Sequence, residues 1–315
     1  MNYALPRTGI RADVTVHKIT YTPGEFSRYA ERYLHMQNVQ TEAQTYYEIG
    51  SINIYQYGEP DTLKYFTVKL KDKTIAPLLQ LTDAGLIVAI NTNVPSSTPA
   101  VPRPTSTRNQ LNGRQYFTSE ILAAASSTKM AELVAQEIMD IRESKNAIRR
   151  GQVESMPKDG ASMRIILGEL DQQEAALLQL FTGWRDTTTH TESYSIMPDA
   201  DIQKTVFFRF SSKLGLLDDD DVAGAPYYIS IRDQHSVPLP TEAELKKRKV
   251  GGIVYNMPSV ANVKIFSAKE TIYDRDLPFP QFGTLDVLAP TLFGKDATTS
   301  VVFNPATGTI QQINK

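Results

Sequence analysis

The sequence contains no cysteine in its 315 residues. This absence excludes disulfides, thiolate nucleophiles, iron–sulfur clusters and cysteine-bound zinc. Histidine is also scarce, and no two of the four histidines have the spacing of a metal-ligand pair. We therefore expect structural or solvated roles for the histidines and no bound cofactor. These histidines are His17, His35, His190 and His235.

A strong charge bias and long hydrophobic runs are also missing. The 33 basic and 35 acidic residues give a formal net charge of −2, which provides no general attraction to nucleic acid or anionic lipid. No window approaches the roughly 20 apolar residues that span a bilayer, and residues 1–7 lack the apolar core of a signal peptide. We expect no nucleic-acid partner and no transmembrane segment. Two origins remain open: a cytosolic protein, or the mature form of an exported protein with an added Met.

The common catalytic signatures are absent. The sequence has no Walker A loop, dinucleotide-binding glycine fingerprint, G-x-S-x-G elbow or H-E-x-x-H motif. An enzyme with scattered site residues stays open, but the sequence favours a non-enzymatic protein without catalytic residues.

Alternating apolar residues predict a strand over residues 10–20. The sequence Thr22-Pro23-Gly24-Glu25 matches a capping box and predicts a short helix that begins at Thr22. Residues 44–90 predict several strands, with turns at Gly50 and at residues 58–61. The short helix predicted from Thr22 would carry its apolar residues on one face: Phe26, Tyr29, Ala30, Tyr33 and Leu34.

Residues 92–113 are rich in Thr, Asn, Ser and Pro and predict a solvated linker or long loop.

Two longer helices are expected in the centre of the chain. Apolar stripes predict them over residues 127–149 and 159–183, joined as an antiparallel hairpin. Gly151 suits the end of the first helix. Gly168 interrupts the second, which suggests close packing against a neighbouring element. The stripe of the second helix is Met163, Ile166, Leu167, Leu170, Leu177, Leu178 and Phe181.

The last third of the sequence is rich in strand patterns and ends in a predicted hairpin with a turn at residues 304–308. The sequence thus predicts an α+β protein with a β-rich N-terminal domain that carries one short helix. A central antiparallel helical hairpin and a C-terminal antiparallel β-sandwich-like domain follow. The predicted divisions are 1–91 for the N-terminal domain, 92–116 for the linker, 117–184 for the hairpin and 185–315 for the C-terminal domain.

Three local clusters suggest binding chemistry. Asp218, Asp220 and Asp221 are candidate calcium ligands, although the EF-hand spacing is missing and a solvated turn capped by one Asp explains the run equally. Tyr55 and Tyr57 share one strand face and are candidate contacts for a sugar or a protein partner, or ordinary packed strand residues. The basic run at residues 246–249 is explained as the end of a short helix over residues 242–248.

Several segments spread along the chain together carry a resemblance to a known family. They begin with residues 5–33 and continue with 57–61, 129–132, 141–144, 181–183, 208–211, 213–215 and 281–283. In these segments the chain resembles the domain of unknown function 4831. The resemblance implies an exported protein of the periplasm or outer-membrane-associated cell envelope in Gram-negative anaerobes, normally made with a signal peptide. It implies no activity, so no catalytic residue carries over.

These observations lead to three functional hypotheses. The favoured one is a non-enzymatic cell-envelope protein that acts as a binding or structural component of a larger assembly, with a protein partner. The alternative is a carbohydrate-binding or carbohydrate-processing protein that uses exposed tyrosines and a carboxylate pair, with a glycan as its partner. A third is a calcium-stabilised module built on residues 218–221.

Overall fold

The structure is a computed structural model that describes residues 2–67, 78–95, 104–152, 160–238, 252–293 and 299–314. It confirms the predicted α+β class, with antiparallel sheets and a helical hairpin. The chain forms two compact units, each assembled from segments that are distant in sequence. The four consecutive segments predicted from the sequence divide the chain in another way, and that division stays a prediction. The β unit comprises Met1–Val16, Ile49–Arg103 and Thr191–Lys315, and the helical unit comprises His17–Glu48 and Pro104–His190.

The secondary structure of the described residues contains long strands and two long helices. The strands are β1 Asn2–Thr22, β2 Gln44–Thr67, β3 Leu79–Leu81, β4 Ile87–Ile90, β5 Thr105–Thr107, β6 Trp184–Ile196, β7 Ile202–Ser211, β8 Gly215–Leu217, β9 Ala225–Asp233, β10 Ile253–Phe266, β11 Thr271–Leu288, β12 Ser300–Phe303 and β13 Ile310–Asn314. The α-helices are α1 Ala30–Leu34, α2 Ser119–Leu122, α3 Ser127–Arg150 and α4 Gly160–Thr182. Short 3₁₀ helices cover Ser27–Tyr29, Gly113–Tyr116 and Pro290–Phe293.

Three sheets organise these strands. The first has the order β2-β1-β6-β5, the second β11-β10-β9-β7-β8 and the third β13-β12-β4-β3. The strand pairs of the second and third sheets are antiparallel. Each sheet is open, so β2, β3, β8 and β13 are among the outer strands of the described residues. Open sheets leave one side of each outer strand available to a further chain.

The predicted alternation in β1 is confirmed. Ile10, Ala12 and Val14 are fully buried, and the intervening Arg11 and Asp13 are partly exposed. The strand begins well before residue 10, because its first residues also pack into the core of the β unit.

Strand β2 runs unbroken over 24 residues, so the predicted turns at Gly50 and at residues 58–61 are wrong. Gly58 is a position of close backbone approach. A Cβ there would lie 2.3 Å from the carbonyl oxygen of Pro305. Glycine in a strand often marks such an approach, and Pro60 is tolerated because β2 is an outer strand.

The core of the β unit joins residues from both ends of the sequence. Tyr3 and Leu5 of β1 pack with residues of β4, β10 and β12. The closing hairpin is confirmed, since β12 and β13 pair antiparallel and Gly308 has a left-handed φ of 69°. The C-terminal strands therefore share their core with the start of β1. The buried members are Tyr3, Leu5, Ile87, Ile90, Ile253, Leu288, Phe293, Val301 and Phe303.

The helical unit is built on the predicted hairpin of α3 and α4. Arg142 pairs with Glu174 and Lys145 with Asp171, so partners run in opposite chain directions and the hairpin is antiparallel as predicted. Gly151 ends α3 with a φ of 70°. The apolar stripe of α3 is buried, whereas Ile166 of α4 is 41% exposed, which corrects its predicted place in the core. The buried core is Phe26, Ala30, Leu34, Ile121, Ala131, Val134, Ala135, Ile138, Ile141, Leu177 and Phe181.

The predicted capping box at residues 22–25 is wrong. Helical structure begins only at Ser27, and Phe26 precedes it without a side-chain cap. The Glu25 carboxylate pairs instead with Arg114, at 2.5 Å. The backbone N–H of Phe26 donates to the carbonyl of Leu180 at 2.7 Å, so contacts with α4 replace the local cap. The predicted apolar face is confirmed for Phe26, which is fully buried.

Part of the predicted linker is ordered structure. Residues 105–107 are exposed, as expected of a solvated segment, but they form the strand β5 rather than a loop. This strand pairs antiparallel with Thr187–Thr189 of β6. Gly168 meets open space rather than a close neighbour, which corrects the packing expected at that position. Three predicted segments lie outside the described residues: residues 96–103 of the linker, the helix over 242–248 and the whole basic run at 246–249.

Candidate functional site

A polar cluster lies where three strands of the first sheet meet in the β unit. Asp13 of β1 is at its centre. Its Oδ2 accepts a 2.6 Å hydrogen bond from the Tyr55 hydroxyl of β2, and its Oδ1 accepts one of 2.6 Å from the Ser193 hydroxyl of β6. Arg11 adds a third donor, with Nε 2.9 Å from Oδ1. These bonds join neighbouring strands through one carboxylate.

The electrostatics of the cluster keep Asp13 ionised. Burial alone would raise the pKa of Asp13, but the hydrogen bonds from Ser193, Tyr55 and Arg11 outweigh it and hold that pKa below its usual value. Burial and the bond to Asp13 raise the pKa of Tyr55 to about 12. A carboxylate that already accepts three hydrogen bonds is a poor general base, because accepting a proton would break favourable contacts.

The two tyrosines predicted as ligand contacts both lie in β2 and are partly exposed. The hydroxyl of Tyr55 is bound to Asp13, and its ring lies 5.6 Å from the guanidinium carbon of Arg11. The ring of Tyr57 covers Gly9, where a Cβ would approach it to 2.5 Å. The structure therefore places both residues in strand packing and leaves their role in ligand contact a prediction.

The acidic run forms a turn that precedes β9. The carboxylate of Asp221 accepts a 2.9 Å hydrogen bond from the backbone N–H of Ala223, which is the turn-capping role considered for this run. Asp218 and Asp220 are exposed, and the structure does not bring the candidate calcium ligands together. Within the described ranges, no group of three or more His, Asp or Glu residues has a geometry suited to a metal ion.

The four histidines lie in separate places. His17 shares a 3.0 Å hydrogen bond with Thr189, and His235 lies 2.8 Å from the carboxylate of Asp233. His35 ends α1 in the left-handed conformation with a φ of 53°, and His190 lies in β6. The structure thus gives three of them local structural positions.

A cleft of about 660 Å³ lies in the helical unit. Its walls are the loop between β5 and the 3₁₀ helix Gly113–Tyr116, the end of α4 and the start of β6. It contains Trp184, the only tryptophan of the sequence, together with Arg108, Arg114 and Glu25. Sequence reasoning missed this cleft because Arg108 falls in the stretch interpreted as a linker.

A second cleft, of about 580 Å³, lies on the second sheet of the β unit. Asp201, Asp274 and Asp276 line it, without an aromatic side chain. Asn262 donates 3.0 Å hydrogen bonds to both Asp274 and Asp276, which occupies part of their acceptor capacity. These two clefts therefore divide the features that the carbohydrate hypothesis combines, since the first supplies the aromatic ring and the second the carboxylates.

Large apolar side chains are exposed on or beside outer strands of the β unit. Leu63 and Tyr65 of β2 are 92% and 60% exposed. Exposed apolar groups beside unpaired strand edges are sites where other chains bind. The further examples are Leu78 and Leu81 at β3, Leu214 before β8 and Ile313 in β13.

Comparison with known proteins identifies the family. The model of a domain of unknown function, DUF4831, matches residues 1–311. No curated protein and no solved structure matches the chain. Among the described helices, none combines the length and apolar character needed to cross a membrane. Because the match covers nearly the whole sequence, the chain belongs to the DUF4831 family, a domain of unknown function.

Proposed function

We propose that the protein is a non-enzymatic component of the cell envelope, in the periplasm or at the outer membrane, and that it binds a protein partner as part of a larger assembly. The observation that carries this proposal is the concentration of exposed large apolar side chains on or beside the outer strands of the β unit. Such side chains are costly to leave in water, and a partner that covers them gains the hydrophobic free energy of their burial.

The contact surface is centred on Leu63 and Tyr65 of β2. Natural sheets protect their edges with proline and with solvated lysine. Lys64 does not protect this edge, because its ammonium lies 3.3 Å from the Asp61 carboxylate and its side chain is only 24% exposed. Tyrosine is enriched among the residues that dominate protein interfaces. Leu63 and Tyr65 therefore form an apolar anchor pair for the partner.

The polar sites of the described residues support binding over catalysis. The Asp13 carboxylate already accepts hydrogen bonds from three donors, and the hydroxyl of Tyr55 is one of them. In the cleft around Trp184, the one carboxylate among the described lining residues, Glu25, is ion-paired with Arg114. The envelope location is supported by the resemblance of the sequence to exported proteins.

The test combines localisation with site-specific capture in the native organism. We expect fractionation to place the full-length protein in the envelope, and a photoreactive residue at position 63 to cross-link to one partner protein. The same residue at Asp219, an exposed position of the turn after β8, is the matched control and is expected to give no such product.

Two variants complete the test. Replacing Leu63 and Tyr65 together by serine is expected to abolish copurification of the partner from solubilised membranes without lowering the melting temperature, since both side chains are exposed. Recovery of the protein alone and fully soluble, or equal cross-linking from positions 63 and 219, would contradict the proposal.

Carbohydrate binding stays the second candidate function, favoured by the cleft around Trp184. Carbohydrate processing needs two carboxylates about 5 to 9.5 Å apart beside the sugar. Neither large cleft joins such a pair to an aromatic wall.

A further inference from the structure

The cleft of the helical unit is held open by a fixed loop. Gln179 of α4 clamps this loop, because its Oε1 accepts a 2.6 Å hydrogen bond from Leu111 N–H and its Nε2 donates one of 2.7 Å to the Asn109 carbonyl. Asp186 accepts a further bond of 2.9 Å from Asn109 N–H. Gly113 allows the end of the loop to pack directly against α4, since a Cβ there would lie 2.5 Å from the carbonyl oxygen of Ala176. A wall fixed before binding reduces the entropy lost when a ligand is ordered.

Trp184 presents the main apolar surface of the cleft. The side chain is partly exposed, and its Nε1–H donates a 3.2 Å hydrogen bond to Asp186. Among the described residues, no other aromatic ring stacks on Trp184 and no cation lies over it. The ring is thus held at its polar edge. An aromatic surface fixed beside polar groups suits a ligand with both apolar and hydroxyl-bearing faces, such as a sugar ring.

The polar groups of the cleft have unused hydrogen-bonding capacity. In the part of the chain that the structure describes, the Asn112 amide has no hydrogen-bond partner, and Arg108 donates only to the Gln110 side chain. Arg114 is neutralised by Glu25. Among the described residues that line the cleft, two arginines therefore face one glutamate, and Arg108 is the arginine that no carboxylate of these residues pairs with. Guanidinium groups bind carboxylates strongly and with defined geometry.

We propose that this cleft binds an acidic saccharide without cleaving it, with a sugar ring stacked on Trp184 and a sugar carboxylate paired with Arg108. Asn112 supplies an amide for the sugar hydroxyls. The only lining carboxylate is Glu25, and glycoside hydrolysis requires two. This site lies in the helical unit and does not rest on the partner surface of the β unit.

The sole tryptophan makes the site directly observable. Fluorescence excited selectively at tryptophan reports Trp184 alone in the full chain. The acidic probes are trigalacturonate and sialyllactose, and the neutral counterparts are fully methyl-esterified trigalacturonate and lactose. We expect saturable fluorescence changes with at least one acidic probe, at dissociation constants of about 1 mM or below. We expect its neutral counterpart to bind about tenfold or more weakly, because the charge-assisted bond is lost.

Matched variants assign the interaction. Arg108→Gln is expected to weaken binding of the acidic probe about tenfold, whereas Arg164→Gln, an exposed arginine of α4 outside the cleft lining, leaves it unchanged. Trp184→Ala is expected to abolish binding, which calorimetry measures because the fluorescent residue is gone. If this variant does not fold, Asn112→Ala provides the substitute test and is expected to weaken binding.

Three results would overturn the proposal. They are no saturable change with either acidic probe at about 10 mM, equal affinity for acidic and neutral counterparts, or an unaltered affinity in folded Arg108→Gln. Cleavage of the probe would contradict the proposal that the cleft binds the saccharide without hydrolysing it.

Discussion

The hydroxyl of Tyr55 donates a 2.6 Å hydrogen bond to Oδ2 of Asp13 on the neighbouring strand. Tyr55→Phe removes this bond and keeps the ring, so we expect a loss of about 1 kcal/mol in the free energy of unfolding. Denaturant unfolding of the full chain measures the loss. Tyr65→Phe is the matched control, because its side chain is 60% exposed and its hydroxyl has no hydrogen bond to any of the described residues. Equal losses in the two variants would show that the Asp13 bond contributes nothing.

The Asp13 cluster makes stability depend on pH. Because the folded-state pKa of Asp13 lies below its unfolded value of about 3.9, ionised Asp13 stabilises the fold above that pH. The contribution is lost as the pH falls through the folded-state pKa. We expect Asp13→Asn to be clearly less stable than the natural chain at neutral pH, and the difference to shrink below about pH 4. A stability difference that does not change with pH would contradict this reasoning.

The ion pairs of the helical hairpin lead to a further prediction about stability. Burial lowers the pKa of Lys145, but its bonds to Asp171 and Glu174 outweigh this and raise it. Glu174→Gln leaves the buried Lys145 side chain with Asp171 as its remaining carboxylate partner. We therefore expect a loss of about 1 to 2 kcal/mol in unfolding free energy. Glu132→Gln, which breaks an exposed pair with Lys129, is expected to lower the unfolding free energy clearly less than Glu174→Gln does. Similar losses in both variants would argue against a special role for the hairpin cluster.

Two glycines of the same unit should respond in opposite directions to alanine. Gly168 lies in the middle of α4 with open space around its Cβ position, so Gly168→Ala is expected to raise the unfolding free energy by about 1 kcal/mol. Gly151 has a φ of 70°, which an L side chain adopts at a cost, so Gly151→Ala should lower it by about 1 kcal/mol. Thermal or denaturant unfolding of the two variants decides the signs, and a stabilised Gly151→Ala would be the contradictory result.

Chelation tests the calcium hypothesis for the acidic turn. Asp221 already caps the turn through the N–H of Ala223, and Asp218 and Asp220 are exposed. We expect the melting temperature to stay the same in excess EDTA and in added calcium, because a bound ion would stabilise the folded chain in proportion to its occupancy. A reproducible rise with calcium that Asp220→Asn removes would restore the calcium hypothesis.

The sequence was most informative where periodicity reflects burial. The alternation in β1, the stripe of α3 and the glycine after Arg150 all predicted real structure, since each expresses a local rule. The failures occurred where a distant contact overrode the local rule. Glu25 pairs with Arg114 rather than capping a helix, and Gly58 accommodates Pro305 rather than forming a turn.

The candidate sites were harder to predict for the same reason. Asp13, Tyr55 and Ser193 come from three separate strands, and no spacing in the sequence indicates that they meet. The cleft around Trp184 joins β6 to a loop that a composition rich in Thr, Asn and Pro made appear solvated. A lone tryptophan followed by an aspartate two residues later was the only local signal.

The core of the β unit also determines when the chain can complete its fold. The hydroxyl of Tyr3 bonds to the carbonyl and the N–H of Val254, and Asn256 donates to the carbonyl of Pro6. At ribosomal rates of about 5 to 20 residues per second, these partners emerge about 10 to 50 s after Tyr3. The strands that flank β1 in its sheet, β2 and β6, are synthesised earlier, but the core partners of Tyr3 and Leu5 are not. Truncation before residue 253 therefore leaves the apolar start of β1 without part of its core and favours aggregation.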